Sequence, residues 1–152
     1  QGSGAECGLC INNLVRIVVD GSPICSCNPG YYKNTTHDTC DPCGLGGYCP
    51  GPPSGKRVGC KSGATTRSRL SKFASDCICK EGHMPQRNGN TNRTDCIPCM
   101  PGTYKPSVSD EPCNFACMPN SMTEPGAASR DECFCSSGFY FVVDTDTCDA
   151  CP

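Results

Sequence analysis

The chain has 152 residues, of which 18 are Cys, 17 Gly and 14 Pro, with no Trp; that Cys content exceeds the ~8–10% that marks a disulfide scaffold. The 36% hydrophobic fraction includes those Cys, so a single large aliphatic core is excluded and covalent stapling or metal binding must offset the conformational entropy of folding. A net charge of −2 with 18% charged residues carries no basic excess, and no nucleic-acid partner is expected.

From the N-terminus onward, the sequence reads as secreted material. The Cys count is even, and Asn34-Thr35-Thr36 and Asn92-Arg93-Thr94 are N-glycosylation acceptors, with Asn34 and Asn92 as the modified residues. Uncharged apolar runs such as Ile17-Val18-Val19 are far too short to cross a bilayer, so no membrane insertion is expected within this segment. No signal-peptide pattern stands at Gln1, which predicts a mature or excised extracellular chain.

A repeat organises the whole sequence. The pattern Cys, one residue, Cys occurs at Cys25/Cys27, Cys77/Cys79 and Cys133/Cys135, at intervals of 52 and 56 residues. Each doublet is followed by a Gly (Gly30, Gly82, Gly138) and then by Cys, two residues, Cys: Cys40/Cys43, Cys96/Cys99 and Cys148/Cys151. Short strands are predicted where Leu14 to Val19 meets Asp20-Gly21, and where residues 139–143 meet the Asp144-Thr145-Asp146-Thr147 turn; Asn88-Gly89 supplies the same turn chemistry in the middle unit. Helical periodicity is absent, and Pro-Gly steps at Pro29, Pro50, Pro101 and Pro125 punctuate every unit.

Cys25-Ser-Cys27-Asn-Pro-Gly30-Tyr31-Tyr32 through Cys40, and Cys133-Phe-Cys135-Ser-Ser-Gly138-Phe139-Tyr140 through Cys148, resemble the closing half of an epidermal-growth-factor-like (EGF-like) module. The stretch Cys99-Met-Pro-Gly102-Thr103-Tyr104-Lys105-Pro106-Ser107, then Cys113, Cys117-Met-Pro119-Asn120-Ser121, Gly126-Ala127 and Cys133-Phe-Cys135 resembles the cysteine-rich repeat of ephrin receptors. Similar repeats occur in large protist surface and secreted proteins. The resemblance implies a small disulfide-rich fold of tandem EGF-like modules built from short β-hairpins and loops, with little or no helix. It divides the chain into a partial EGF-like module (1–42), an EGF-like module (43–98), an ephrin-receptor-like or EGF-like module (99–150), and residues 151–152 as the start of a further module or a C-terminal end.

The EGF-type pairing implied by that resemblance is Cys7–Cys25, Cys27–Cys40, Cys43–Cys60, Cys49–Cys77, Cys79–Cys96, Cys99–Cys117, Cys113–Cys133 and Cys135–Cys148. Cys10 and Cys151 are left without partners, and a different phasing that closes nine internal bridges stays open beside it. Two-residue links at Asp41-Pro42, Ile97-Pro98 and Asp149-Ala150 leave little freedom between modules, so an elongated rod is predicted.

Charge changes sign along the chain. Between Cys49 and Cys99 nine Lys/Arg face three acids, whereas from Met100 onward two face eight. Lys56, Arg57, Lys61, Arg67, Arg69 and Lys72 form a candidate polyanion-binding cluster for acidic glycans, or for the acidic stretch of a neighbouring copy; a solvated face without a partner is the plain alternative.

Other chemistry finds little footing. His37 and His83 lie in different units without a nucleophile motif, so no catalytic residue and no enzyme are expected. Zinc-like Cys spacing keeps a zinc-binding adaptor as a minor alternative, but no metal and no cofactor are expected. Asp144 and Asp146 lack the spacing of a calcium loop. Tyr31, Tyr32, Phe139, Tyr140 and Phe141 are expected to pack against disulfides rather than line a ligand cage. The function expected is that of an extracellular structural protein contributing to a cell-surface rod, coat or filament, with neighbouring copies or other extracellular proteins as partners. An adhesive or receptor-type module that binds a glycan or protein is the alternative.

Overall fold

A computed structural model describes residues 14–37, 39–87 and 94–152. Hairpins build it. Strand β1 (Leu14–Val19) pairs antiparallel with β2 (Ser22–Cys27), joined by Asp20 and Gly21 at φ 49° and 78°. Two consecutive left-handed residues give the turn whose twist matches that of the flanking strands, which is why Asp-Gly stands there. β3 (Tyr31–Asn34) pairs with β4 (Thr39–Pro42), β5 (Gly47–Tyr48) with β6 (Val58–Gly59), and β7 (Ala64–Thr66) with β8 (Cys77–Cys79). β9 (His83–Arg87) pairs with β10 (Thr94–Pro98), β11 (Thr103–Tyr104) with β12 (Phe115–Ala116), β13 (Ser121–Met122) with β14 (Phe134–Cys135), and β15 (Phe139–Val142) with β16 (Thr147–Ala150). Among the described residues every sheet is two-stranded, and helix is limited to two single 3-10 turns, Ala74–Asp76 and Arg130–Glu132. The fold is disulfide-rich and made of short antiparallel strand pairs, as small EGF-like hairpin modules are.

Isolated hairpins are marginal in water, and sulfur supplies what an aliphatic core does elsewhere. Of the eight buried hydrophobic residues described, all but Ala127 are Cys. Cys27–Cys40 closes β2 onto β4, Cys79–Cys96 closes β8 onto β10, and Cys135–Cys148 closes β14 onto β16. Closing loops of this size stabilises by roughly 3 kcal/mol each in the chain-entropy picture.

Between the hairpins the bridges differ from the EGF pattern. Cys43 bonds Cys49 and Cys60 bonds Cys77, in place of Cys43–Cys60 and Cys49–Cys77. Likewise Cys99 bonds Cys113 and Cys117 bonds Cys133, in place of Cys99–Cys117 and Cys113–Cys133. The physical reason is local. Gly44 and Gly46, both at positive φ, fold the chain back so that Cys43 and Cys49 come to 5.8 Å between Cα atoms, within range for a bridge. In the next repeat β11 and β12 return the chain toward Cys99, bringing Cys113 to 5.7 Å. Each cysteine therefore meets its next neighbour in sequence, and the bridges from Cys27 to Cys148 do not cross. Cys25 is disulfide-bonded and Cys151 is free and exposed; the expected Cys7–Cys25 bridge and the unassigned Cys10 lie outside the described residues.

The chain forms two compact units, one of residues 1–60 and 66–77, the other of residues 61–65 and 78–152. The boundary between the two units falls within residues 43–98. Each unit joins the closing hairpin of one repeat to the opening loop of the next.

Candidate functional site: the clasped hairpin and the basic loop

In the first unit Gly30 N–H donates to the Cys49 carbonyl at 2.8 Å, Cys43 N–H donates to the Gly30 carbonyl at 2.9 Å, and Lys33 N–H donates to the Gly55 carbonyl at 3.0 Å. The second unit repeats the first two bonds, Gly82 N–H to Lys105 O at 2.9 Å and Cys99 N–H to Gly82 O at 2.8 Å. It adds Ser109 N–H to Cys79 O at 3.0 Å and Cys79 N–H to Asp110 Oδ1 at 2.9 Å. Cys151 N–H likewise donates to Gly138 O at 2.9 Å. Glycine is required where backbone presses on backbone. A Cβ on Gly30 would stand 2.8 Å from the Leu70 carbonyl oxygen, and one on Gly82 would stand 2.0 Å from that of Gly126.

Behind each clasp the two opening loops share several hydrogen bonds. Thr66 Oγ1 accepts from Gly46 N–H as Thr123 Oγ1 does from Gly102 N–H, and both threonines are buried. Asp76 caps its 3-10 turn by accepting from Lys72 and Phe73 N–H, as Glu132 does from Ala128 and Ser129 N–H. A buried threonine hydroxyl and a capping carboxylate thus recur in two loops of different surface sequence.

The six candidate polyanion ligands do not act as one cluster. Arg57 is a structural clamp, its Nε donating to the Cys43 carbonyl at 2.8 Å and its Nη2 to that of Leu45 at 2.9 Å. Lys61 pairs with Asp95 in the second unit. Lys56, Arg67, Arg69 and Lys72 are exposed in the first unit. Arg67, Arg69 and Lys72 share the segment 66–72, which Ser68 shapes by accepting from Thr66 Oγ1 and Ser71 Oγ at its carbonyl and from Leu70 N–H at its hydroxyl.

Asn34 presents a polar pair unseen in the sequence. Its Nδ2 donates to Asp41 Oδ2 at 2.6 Å while its Oδ1 accepts from Thr36 N–H at 3.0 Å, and Thr39 Oγ1 donates to Asp41 Oδ1 at 3.0 Å. The bond from Asn34, then that from Thr39, holds the Asp41 carboxyl below its usual pKa. Asn92 lies outside the described residues. Tyr31, Tyr32 and Phe139 are half-buried, but Tyr140 and Phe141 are each 49% exposed, so the packing expected of those two is not what the hairpin gives them: they stand at neighbouring positions on β15, and both are left open. A stacked aromatic pair forms elsewhere, between Tyr104 and Phe115 across β11 and β12, with centroids 5.4 Å apart.

His37 belongs to the first unit and His83 to the second. Cys79, Cys96 and Asp110 approach one another, but both sulfurs are consumed in one bridge and Asp110 caps the Cys79 amide. Asp146 ion-pairs with Arg130, which engages the acidic turn considered for calcium. No helix among the described residues is long and apolar enough to cross a membrane.

Comparison with known proteins agrees with this architecture. The chain is 34% identical over 135 residues to cysteine repeat modular protein A of Toxoplasma gondii, covering 84% of the chain and 4% of that protein. It is 40% identical over 74 residues to ephrin type-B receptor 3 of Gallus gallus, covering 49% of the chain and 7% of the receptor. It is 31% identical over 109 residues to signal peptide, CUB and EGF-like domain-containing protein 2 of Danio rerio, covering 68% of the chain and 10% of that protein. The chain thus spans a small fraction of each relative. No family model matches it. No solved structure matches it. Its homologues are cysteine repeat modular, ephrin receptor and EGF-like domain proteins, and its seven described bridges fit tandem cysteine-rich repeats that each end in an EGF-like hairpin.

Proposed function

We propose that the chain is a non-enzymatic, extracellular scaffold segment, in which disulfide-stapled repeats are coupled end to end within a surface rod, coat or filament. The clasp carries this reading. Gly30 and Gly82 are each locked by two backbone hydrogen bonds into the opening loop of the following repeat, and bonds between fixed backbones leave a joint little rotational freedom. The sulfur-rich interior suits an oxidising, secreted or cell-surface setting, and partners are neighbouring copies or other extracellular proteins. Small-angle scattering on the intact chain tests the reading. A particle of fixed maximum dimension is expected, which becomes heterogeneous in Gly82→Ala. A wild-type particle as flexible as the variant would overturn it.

A second reading, an adhesive module, rests on a separate observation: the cations of residues 66–72 are exposed on a loop whose backbone is pinned from below. Glycan occupancy of Asn34 and Asn92 belongs to the same extracellular setting and is checked by the mass lost on amidase treatment.

A further inference from the structure

We propose that the loop 66–72 is a recognition site for a linear sulfated polysaccharide, with Arg69 and Lys72 as its principal ligands and Arg67 beside them. The loop is built before any ligand arrives. Thr66 and Ser71, exposed by 2% and 4%, anchor its two ends. The Ser68 carbonyl accepts from both of their hydroxyls, at 3.1 and 2.9 Å. Its crest is fastened to the repeat by Gly44 N–H to the Arg69 carbonyl and Cys49 N–H to the Ser71 carbonyl, both 2.9 Å. Backbone and hydroxyl groups do all of this fastening, so the Arg69 and Lys72 side chains are not needed to hold the loop. Cations carried on a pinned backbone lose less conformational freedom on meeting an anion than cations on a mobile tail.

Asp76, the acid nearest in sequence, accepts at one oxygen from the Lys72 and Phe73 amides and forms no ion pair with the Arg69 or Lys72 side chain among the described residues. Leu70 and Phe73, 41% and 64% exposed, flank the cations with apolar surface on which a sugar ring can lie. The corresponding loop of the next repeat has the same Thr anchor but carries Glu124, Pro125 and Gly126 instead. The Thr anchor is therefore shared and the charge is particular to one repeat. A dense, regularly charged polymer suits Arg69 and Lys72, exposed three positions apart. The acids beyond Met100 are spread out and partly committed, with Asp110, Glu132 and Asp146 bonded internally, so they match the loop less well.

The test uses the intact oxidised chain, immobilised heparin and uncharged dextran. Retention on heparin but not dextran is expected, with elution moving to lower salt in Arg69→Ala/Lys72→Ala and affinity falling about tenfold. Lys61→Ala/Lys80→Ala removes the same formal charge outside the loop and is expected to change affinity by less than about twofold. Equal losses in the two double variants, or no retention of the wild type, would overturn the proposal. So would a dimer in sedimentation that Arg69→Ala/Lys72→Ala abolishes while heparin is ignored, since the loop would then belong to contacts between copies. Disulfide mass and scattering profile are expected unchanged in both variants, which separates failure here from failure of the scaffold reading.

Discussion

Lys105 stands where Cys49 stands one repeat earlier. The carbonyl of each receives the amide of the clasped glycine, and the amide of each donates to the loop 66–72 or its counterpart, at Ser71 and Ala127 respectively. Cys49 is 0% exposed and Lys105 1%. One repeat fills the site with half of a disulfide. The other fills it with an ammonium that donates to the carbonyls of Ser109 and Glu111, while the bridge from Cys99 is taken up by Cys113.

Lys105→Met is expected to lower stability by about 1.5–3 kcal/mol, because it removes the buried side chain whose ammonium donates to the Ser109 and Glu111 carbonyls; urea denaturation checks it. Burial, opposed by Asp110, Glu81 and Glu111, holds the Lys105 pKa below its ordinary 10.5. The folded chain then binds this proton less tightly than the unfolded chain. The contribution of Lys105 rises with pH between the lowered value and 10.5 and is constant below it. Denaturation in that window, with Cys151 alkylated, is expected to show the wild type gaining on Lys105→Met.

The three clasp glycines are expected to rank by what surrounds them. All have positive φ, so Ala at any of them costs about 1 kcal/mol of backbone strain. Gly138→Ala meets nothing within 4 Å and is expected to cost no more than that. Gly30→Ala meets the Leu70 carbonyl at 2.8 Å and Gly82→Ala that of Gly126 at 2.0 Å, so both are expected to lose more, Gly82 most, by about 3 kcal/mol or above. Thermal melting of the three variants gives the order, and an equal loss in all three would contradict the crowding.

Non-reducing peptide mapping is expected to recover Cys43 linked to Cys49 and Cys60 to Cys77, and Cys99 linked to Cys113 and Cys117 to Cys133. A fragment joining Cys49 to Cys77, or Cys113 to Cys133, would restore the EGF-type crossing and reject these neighbour pairings.

Asp41 is expected to titrate below 3.8, and to move upward in Asn34→Ala, which removes the larger of its two hydrogen bonds. Because the folded value is depressed, the stability this carboxylate contributes is present above the unfolded pKa and fades as pH falls through the folded one. Carboxyl carbon shifts followed through an acid titration report it.

The hairpins were legible because their signals are local. Asp20-Gly21 encodes its own turn, and the Cys, one residue, Cys doublets with the following Gly mark where each closing hairpin starts. Bridge partners between hairpins were not legible, because they depend on where Gly44 and Gly46 fold the chain and where β11 and β12 return it, which cysteine spacing alone leaves open. The role of Lys105 was within reach. Superposing Cys43 on Cys99 sets Cys49 against Lys105, and a lysine in the place of a cysteine is a substitution that asks for a buried partner. The basic cluster was half legible, since charge in sequence does not tell Arg57, spent on carbonyls, from Arg69, left outward.

Uncrossed bridges also bear on how such a chain is made. A polypeptide that threads N-terminus first into an oxidising compartment presents each cysteine from Cys27 to Cys148 with its partner as either the one just before it or the one about to emerge. Oxidation can then follow translocation link by link without waiting for a distant thiol, so a very long array matures at a cost per repeat that does not grow with its length.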